Sequence, residues 1–247
     1  MEKNMNNTDS RIDLTGRRVL VPGGTGAVGE GVVRRYLEAG ADVVVPTRTQ
    51  ARADEYRAIL DNAVTDKLHL VVHDYTTFAG ADDLVDQMAS NLGGIDDVIA
   101  PIGGWWAGKR LWEISETDWK NAFVGLATAH MAIARAAVPR ITAEGAYVVV
   151  VGDSGGWPVP GSGLVSMEQS ALMMMQRVLD AEVDESKRIF TFVLGPVNTR
   201  SVGSGEVTAR QVGSVAVAAS ASTLPGRVIP LHGDAEVEQA ILLFEGA

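Results

Sequence analysis

The sequence contains no cysteine and has only 5 tryptophans, 4 tyrosines and 5 phenylalanines among its 247 residues. The absence of cysteine excludes disulfides, thiolate catalysis and cysteine-ligated metal sites, and it fits a reducing compartment such as the cytoplasm. Because no run of about 18 apolar residues occurs, we expect no membrane span. The first ten residues are polar and lack the apolar segment of a secretory signal, so we expect residues 1–12 to form a flexible tail.

Positive charge is also scarce, with 21 Lys and Arg against 31 Asp and Glu and a net charge of -10. Nucleic-acid phosphates are bound by clustered Lys and Arg, so this composition argues against a nucleic-acid partner. A hydrophobic content of 46% with 21% charged residues is typical of a folded chain with a sizeable core. We therefore expect a globular protein whose partner is a small-molecule substrate, and we assign no metal site.

Apolar runs of strand length alternate with segments of helical periodicity along the whole chain. Predicted strands cover residues 18–21, 42–45, 68–72, 97–101, 146–151, 188–194 and 227–231. Predicted helices cover residues 27–39, 51–62, 81–91, 116–141, 165–183 and 208–219. Continuous, valine-rich strands are typical of parallel strands covered on both faces, and their alternation with helices gives right-handed βαβ units. The pattern predicts an α/β fold, a single Rossmann-type doubly wound domain over residues 13–247 with a mostly parallel, roughly seven-stranded sheet.

A glycine-rich segment follows the first predicted strand and leads into a helix: Pro22-Gly23-Gly24-Thr25-Gly26-Ala27-Val28-Gly29. In such a loop Gly23 permits the tight turn, Gly26 lets the backbone approach a diphosphate, and Gly29 lets the helix pack against the strand. Backbone N–H groups of this bend, including those of Thr25 and Val28, then bind the phosphates at the positive end of the helix dipole. A plain turn is the alternative, but the position after the first strand of a doubly wound pattern indicates a dinucleotide site.

The end of the second predicted strand bears on the choice of cofactor. An acid there would bind the ribose hydroxyls of NAD, whereas an arginine suits the 2′-phosphate of NADP. The segment reads Val45-Pro46-Thr47-Arg48, with no acid until Asp54. Arg48 is therefore a candidate phosphate ligand, with a solvated surface arginine as the alternative, and we expect NADP(H) to be favoured over NAD(H).

Three further segments, together with the glycine loop, resemble the short-chain dehydrogenase/reductase family over nearly the whole chain. His73-Asp74-Tyr75 resembles the element whose acid contacts adenine. Residues 95–103 resemble the family's Leu-Asp-x-Leu-Val-Asn-Asn-Ala-Gly, although Ala100 and Pro101 replace both asparagines. Gly195-Pro196-Val197-Asn198-Thr199 is similar to the Pro-Gly-x-x-x-Thr loop over the nicotinamide, with its first two residues inverted. The resemblance implies cofactor contacts from Asp74, Gly103, Pro196, Val197 and Thr199.

The family's Tyr-x-x-x-Lys pair has no counterpart at the expected place. The tyrosine exchanges the proton and the lysine lowers the pKa of that tyrosine. Aligning Ser170-Ala171-Leu172 with the family's Ala-Ala-Leu places Val165 at the tyrosine position and Gln169 at the lysine position. Gln169 can still hydrogen-bond a nicotinamide ribose, but it supplies no charge.

Other polar groups are candidates for the missing chemistry. Asp153 or Ser154 stands at the family's serine position, and Ser166 offers a hydroxyl one residue after Val165. His130 follows Leu126, which occupies the family's asparagine position, by one helical turn. Asp153 and His130 are the candidates for a surrogate proton donor. A turn acid bound by neighbouring N–H groups is the alternative for Asp153, and a packed or interface histidine is the alternative for His130.

Two loops with tryptophan are predicted to line the substrate pocket, because ligands of this fold lie at the carboxyl ends of the strands. Trp105 and Trp106 follow the fourth predicted strand, and Lys109 or Arg110 could meet an anionic group beside them. Adjacent residues of an extended loop point to opposite sides, so only one of the two tryptophans is expected to face a ligand. Trp157, in the loop after the fifth strand, could form the other wall; core aromatics and surface charges are the alternative.

Three functions remain open from the sequence. The first is an NADP-linked oxidoreductase acting on a small or aromatic apolar molecule with a non-standard proton donor. The second is a non-redox enzyme on the same scaffold, such as a cyclase, dehydratase or isomerase, and the third is a catalytically silent cofactor-binding subunit. The resemblance also implies a homo-oligomer, a dimer or tetramer, through the two long helices. Alanines at 127, 134 and 137 would permit close helix packing, but a face buried within the chain explains them equally.

Overall fold

A computed structural model describes residues 12–183 and 186–246. The predicted flexible tail, residues 1–12, lies outside the described residues except for Ile12, which packs against the core. The strands are β1 Arg18–Leu20, β2 Asp42–Thr47, β3 Leu68–Val72, β4 Ile95–Ala100, β5 Ile141–Gly152, β6 Arg188–Leu194, β7 Val197–Asn198, β8 Val207–Thr208 and β9 Val228–Leu231. The helices are α1 Ala27–Glu38, α2 Gln50–Leu60, α3 Phe78–Leu92, α4 Glu116–Trp119, α5 Gly125–Ala137, α6 Gly163–Glu182, α7 Ala209–Ala221 and α8 Asp234–Glu245.

Seven of these strands form one parallel sheet in the order β3-β2-β1-β4-β5-β6-β9. The predicted doubly wound α/β fold is thereby confirmed. The order reverses between β1 and β4, so the connections leave these two neighbours toward opposite faces of the sheet. This reversal opens a crevice at their carboxyl ends, which is where open α/β sheets bind ligands.

The sheet is buried on both faces, which explains why its strands are apolar without alternation. Two hydrophobic clusters cover it, one built with α1 and α7 and the other with α3 and α5. At the amino edge of the sheet, opposite the crevice, Arg17 pairs with the buried Asp97 at 2.6 Å and Arg18 pairs with Asp96 at 2.8 Å. Within the described part of the chain, no helix is both long enough and apolar enough to cross a membrane.

The predicted helix over residues 116–141 is wrong in two respects. A π-helical turn, Lys120–Val124, separates α4 from α5, and α5 ends at Ala137. Pro139 cannot continue a helix, because its ring removes an N–H and clashes with the preceding turn. The chain then enters β5 at Ile141, five residues before the predicted strand at 146–151. Helix α8 and the short pair β7 and β8 were not predicted.

Candidate cofactor and active site

The glycine loop lies at the reversal point of the sheet, between the exits of β1 and β4. Gly23 has φ +83, and a Cβ placed there would lie 2.6 Å from the carbonyl oxygen of Pro101, which follows β4. A Cβ on Gly29 would lie 2.4 Å from the carbonyl oxygen of Gly23, so α1 packs directly on the loop. Side chains at either position would push these segments apart. The glycines thus bring the start of α1 to the crevice.

The first turn of α1 is not capped by a side chain. Its N-cap is Gly26, whereas the hydroxyls of Thr49 and Thr77 cap α2 and α3 by accepting from Arg52 N and Gly80 N. The N–H groups at the start of a helix need acceptors, and an anion satisfies them together with the helix dipole. Of these three helices, only α1 starts without a side-chain cap, a feature that it shares with α6 and α8. Unlike α8, it starts at the reversal point of the sheet, where its first N–H groups can bind an anion.

Arg48 and Asp74 lie together beside the glycine loop, after β2 and β3. Hydrogen bonds from Thr76 hold the pKa of Asp74 below its ordinary value, with the Arg48 charge adding to the effect. Burial raises the pKa of the Tyr75 phenol, against the opposing charge of Arg48 and a hydrogen bond from the Gly23 amide. Arg48 is exposed and makes no hydrogen bond or ion pair in the described part of the chain. Its charge is therefore available to an anionic ligand.

Arginines bind a carbonyl oxygen and a carboxylate near the loop. The Arg52 guanidinium donates to the Thr25 carbonyl oxygen at 3.0 Å. Glu30, in the first turn of α1, accepts from Arg34 at 3.0 Å and from Arg200 at 2.5 Å. The Arg200 bond joins the loop after β7 to the helix that starts in the crevice. Neither Arg52 nor Arg200 was singled out from the sequence, because their partners are distant along the chain.

The segment predicted to cover the nicotinamide follows β6. Its residues Val197 and Asn198 pair with Val207 and Thr208 in a two-stranded parallel sheet, which closes residues 199–206 into a short loop. The Thr199 hydroxyl accepts from Ser201 N and Val202 N, both at 3.2 Å, so it stabilises its own turn. Pro196 accepts from Glu206 N at 3.1 Å. These contacts place the predicted cofactor segment at the carboxyl edge, and Gly103 lies exposed at the same edge after β4.

Three of the predicted catalytic residues meet at the end of β5. Asp153 and Ser154 form a short 3-10 turn directly after Gly152. Gln169 on α6 accepts from the Gly152 N–H through Oε1 at 2.5 Å. A Cβ placed on Gly152 would lie 3.6 Å from Ser154 Oγ and 3.9 Å from Gln169 Oε1, so both polar groups surround the strand end. Val165, one turn before Gln169, is buried on the same side of α6.

The other two candidates point away from this group. Ser166 Oγ accepts from Val159 N at 3.3 Å and so holds the loop after β5 against α6. His130 is fully buried, and its Nε2 lies 2.7 Å from the carbonyl oxygen of Ile102. Burial lowers the pKa of His130 to about 4, against the opposing hydrogen bond to Ile102. The geometry thus supports the packed histidine over a proton donor, and it leaves Asp153 as the better placed of the two.

Glu168 was missed from the sequence. It is fully buried on α6, and its Oε2 accepts from Gln169 Nε2 at 2.5 Å. Burial raises the pKa of this carboxyl to about 7, with the Gln169 hydrogen bond acting in the opposite direction. The helical period could have indicated the burial, because Leu164 and Leu172 lie one turn to either side.

Three exposed tryptophans rim the loops above the crevice. Trp105 is 68% exposed, Trp112 79% and Trp157 73%, whereas Trp106 is half-buried. The two loops that carry them are joined by a hydrogen bond from Gly108 N to Gly161 O at 2.9 Å. The two adjacent tryptophans differ in exposure, as expected for opposite orientations. Trp112, with the Arg110 guanidinium carbon 5.5 Å from its ring centroid, was not among the predicted pocket residues.

Lys109 does not present a free charge to this region. Its ammonium group is bound by the Asp118 carboxylate, which also accepts from the backbone and hydroxyl of Ser115. The Lys109 hydrogen bond is the main reason that the pKa of Asp118 lies far below its ordinary value. Asp118 therefore competes with any anionic substrate for the Lys109 ammonium group.

The comparisons with known proteins fit this geometry. The sequence model of the short chain dehydrogenase family matches residues 17–209. The chain belongs to this family. Its relatives include hydroxysteroid 11-beta-dehydrogenase 1-like protein of Xenopus tropicalis, 28% identical over 150 residues that cover 60% of this chain and 51% of the relative. Hydroxynaphthalene reductase arp2 of Aspergillus fumigatus is 25% identical over 178 residues, 72% of this chain and 65% of the relative.

Other relatives are matched over more of their length. The chain spans less than two thirds of the length of each of the two proteins just named. Cis-2,3-dihydrobiphenyl-2,3-diol dehydrogenase of Paraburkholderia xenovorans is 25% identical over 238 residues, which cover 92% of this chain and 82% of the relative. Among solved structures, a Pseudomonas aeruginosa short chain oxidoreductase described as containing an atypical catalytic center superposes with a TM-score of 0.80 at 17% identity, covering 90% of this chain and 98% of that one. A Burkholderia cenocepacia short chain dehydrogenase in complex with NADP gives 0.78 at 20% identity, covering 89% and 98%. These two likenesses show the fold.

Proposed function

We propose that the protein is an NADP(H)-dependent oxidoreductase that acts on a small or aromatic apolar substrate with a non-standard proton donor. One observation carries the proposal: the first turn of α1 starts in the crevice without a side-chain cap, beside Arg48, which has no ion pair or hydrogen bond among the described residues. This arrangement suits a dinucleotide whose diphosphate meets the helix start and whose 2′-phosphate meets the arginine. The NADP complex of the Burkholderia cenocepacia protein supports the same reading through its fold.

Asp153 is the proton donor that the geometry favours. It follows β5 directly, beside Ser154 and the Gly152–Gln169 hydrogen bond, and its carboxylate makes no hydrogen bond in the described part of the chain. A positioned general acid contributes about 10² to 10⁴ in rate, or about 3 to 5 kcal/mol. We therefore expect Asp153→Asn to lower kcat by about that factor and to leave the affinity for NADPH unchanged.

The matched control for this variant is Asp66→Asn, which removes an exposed acid before β3 at the amino edge of the sheet. It is expected to leave kcat unchanged. If Asp153→Asn turns over as fast as the wild type, Asp153 is not the donor.

The substrate class follows from the rim of the crevice. Trp105, Trp112 and Trp157 present apolar, planar surfaces there, and a flat apolar molecule would bury them. The names of two relatives refer to hydroxynaphthalene and dihydrobiphenyl diol, which supports an aromatic substrate. The ion pair of Lys109 with Asp118 favours an uncharged substrate over an anionic one.

A non-redox reaction is the second candidate, favoured by the valine and glutamine at positions 165 and 169, where the family's tyrosine and lysine are expected. Following the near-ultraviolet absorbance of reduced nicotinamide with candidate carbonyl compounds separates the two. Substrate consumed with an unchanged absorbance would establish a cyclase, dehydratase or isomerase. No turnover of any substrate class, with tight NADPH binding, would instead support a silent cofactor-binding subunit.

A homo-oligomer through α5 and α6 is proposed on their exposed apolar side chains. Val124, Met131, Met167, Met174 and Val178 are each at least 37% exposed and lie on the outer faces of the α5 and α6 region. Of the three alanines considered from the sequence, Ala134 and Ala137 are fully buried within the chain, and only Ala127 is partly exposed. Contact between two copies would remove the methionines and valines from water.

A further inference from the structure

Glu168 occupies a position where an acid is costly. It is fully buried on α6 between Leu164 and Leu172, which are also buried. Its Oε2 accepts from Gln169, but Oε1 has no hydrogen-bond partner in the described part of the chain. A buried carboxylate with one unsatisfied oxygen is unfavourable relative to an apolar side chain of similar size. The carboxyl is therefore poorly explained as a packing group.

The partner of Glu168 reaches the carboxyl end of β5. Gln169 Oε1 accepts from the N–H of Gly152, the last residue of β5, immediately before Asp153. A carboxamide has two N–H donors and two acceptor sites on its oxygen, so one donor and one acceptor site of Gln169 remain. The Gly152 N–H needs the Gln169 oxygen and the Glu168 carboxylate needs a Gln169 N–H, so the carboxamide cannot exchange its oxygen and nitrogen positions. The direction of its remaining N–H is thereby fixed.

We propose that Glu168 is a positioning residue, which holds the Gln169 carboxamide so that its second N–H binds a ribose hydroxyl on the nicotinamide side of the cofactor. The inference rests on the proposed NADP(H) site and adds to it the buried group that orients the contact. Glu168 itself does not touch the ligand, since it has no exposed surface.

The charge state of Glu168 changes in the neutral range, because burial raises the pKa of its carboxyl to about 7. Seven titratable residues lie on the elements packed against α6: Glu144, Tyr147, Asp153, Arg188, Lys120, His130 and Arg135. None of them contributes a charge effect on the Glu168 carboxyl, which responds only to burial and to Gln169. A titration near neutral pH in the ligand-binding properties can therefore be assigned to Glu168 by substitution.

Ionised Glu168 favours the oxidised cofactor, whose nicotinamide ring is positively charged, over the reduced one. Raising the pH from about 5.5 to about 8.5 is thus expected to shift the ratio of NADP⁺ to NADPH affinities toward NADP⁺ by about tenfold, because a unit charge in a protein interior acts on a second charge more strongly than it would through water. A side chain that only fills space would leave this ratio independent of pH.

The test measures the Kd values of NADPH and NADP⁺ over this pH range for the wild type, Glu168→Gln and Glu168→Leu. Glu168→Gln keeps an oxygen acceptor for Gln169 and removes the titration, so we expect wild-type NADPH affinity within about twofold and a ratio that does not change with pH. Glu168→Leu removes the acceptor, so we expect NADPH affinity to fall about tenfold, equivalent to one lost hydrogen bond.

Gln176→Leu is the matched control. Gln176 is another buried amide on α6, and it donates to the Ile189 carbonyl oxygen at 2.8 Å, near the start of β6. The control should lower thermal stability and leave both affinities unchanged. A folded Glu168→Leu protein with wild-type NADPH affinity would overturn the inference. If that variant does not fold, a Glu168→Gln protein that retains the wild-type pH dependence overturns it equally.

Failure of the proposed function has a different signature. A wild-type protein that binds neither NADPH nor NADP⁺ would refute the cofactor site, and the inference with it. Wild-type binding that is indifferent to every Glu168 substitution would refute the inference alone.

Discussion

Alanine substitutions at Gly26 and Gly29 separate the binding role of the glycine loop from its packing role. Gly26 has φ -74 and ψ 170, an extended conformation that alanine adopts freely. A Cβ on Gly26 would meet only the Gly23 carbonyl oxygen, at 3.1 Å. A Cβ on Gly29 would lie 2.4 Å from that oxygen and 2.6 Å from the Cα of Gly24. The first methyl group therefore fits the folded loop and the second does not.

Gly26→Ala is expected to lower NADPH affinity with little loss of stability, and Gly29→Ala is expected to lower stability. Gly26→Ala should change stability by less than about 1 kcal/mol, a shift in Tm of at most about 2 to 4 °C. Its methyl group would occupy the space through which a diphosphate approaches the backbone, so we expect NADPH affinity to fall at least about 30-fold, or about 2 kcal/mol. Gly29→Ala should lose about 1 to 3 kcal/mol of stability through overpacking, a fall in Tm of about 2 to 12 °C.

Thermal unfolding and calorimetric titration with NADPH measure the two effects separately. Gly246→Ala is the control, because a Cβ on Gly246 would lie 3.3 Å from the Leu242 carbonyl oxygen, a contact similar to that at Gly26 but at the end of α8. A folded Gly26→Ala protein that binds NADPH as tightly as the wild type would refute the reasoning that this loop grips a diphosphate.

Three further outcomes follow from the described contacts. Arg48→Ala should weaken NADPH binding at least about tenfold, the value of one charge-assisted hydrogen bond, and leave NADH binding unchanged. The control Arg57→Ala should bind both cofactors as the wild type does. Equal losses of affinity for both cofactors in Arg48→Ala would contradict a 2′-phosphate contact. Burial lowers the pKa of His130 to about 4, so between that pH and about 6.5 the unfolded chain binds more protons than the folded one. The free energy of unfolding measured in urea should therefore fall by up to about 3 kcal/mol as the pH drops through this window. His130→Gln should flatten that dependence, and an unchanged slope would assign it elsewhere. Met174→Glu should lower the mass measured by light scattering, whereas Leu242→Glu on α8 should not; an unchanged mass would place the interface elsewhere.

The arrangement of the sheet was predictable because each buried strand is marked locally by continuous valine and isoleucine, and the glycine loop by its spacing after β1. Where a local signal was absent or ambiguous, prediction failed. The apolar period continued past Ala137, so the helix was extended until Ile141, although Pro139 ends it. Helix α8 does carry a period, in Val237, Ala240 and Phe244, which are buried, but no family motif drew attention to it.

The site was predictable only in part, because sequence spacing places residues on faces but does not choose their partners. The family resemblance assigned Asp153 and Gln169 to one site, and in the structure both lie at the end of β5. The position of His130 one helical turn after Leu126 indicated the active-site face of its helix. In the structure its imidazole is buried in the core and bonded to the Ile102 carbonyl oxygen. The pairing of Lys109 with Asp118 depends on the path of an irregular loop, which no periodicity encodes.

The most direct test of the account is a calorimetric titration of the wild-type protein with NADPH and with NADH at the same ionic strength. Backbone amides at the start of α1 and the exposed Arg48 predict that NADPH binds, and that it binds at least about tenfold more tightly than NADH. Absence of binding by both nucleotides would contradict the central claim that the crevice between β1 and β4 is a dinucleotide site.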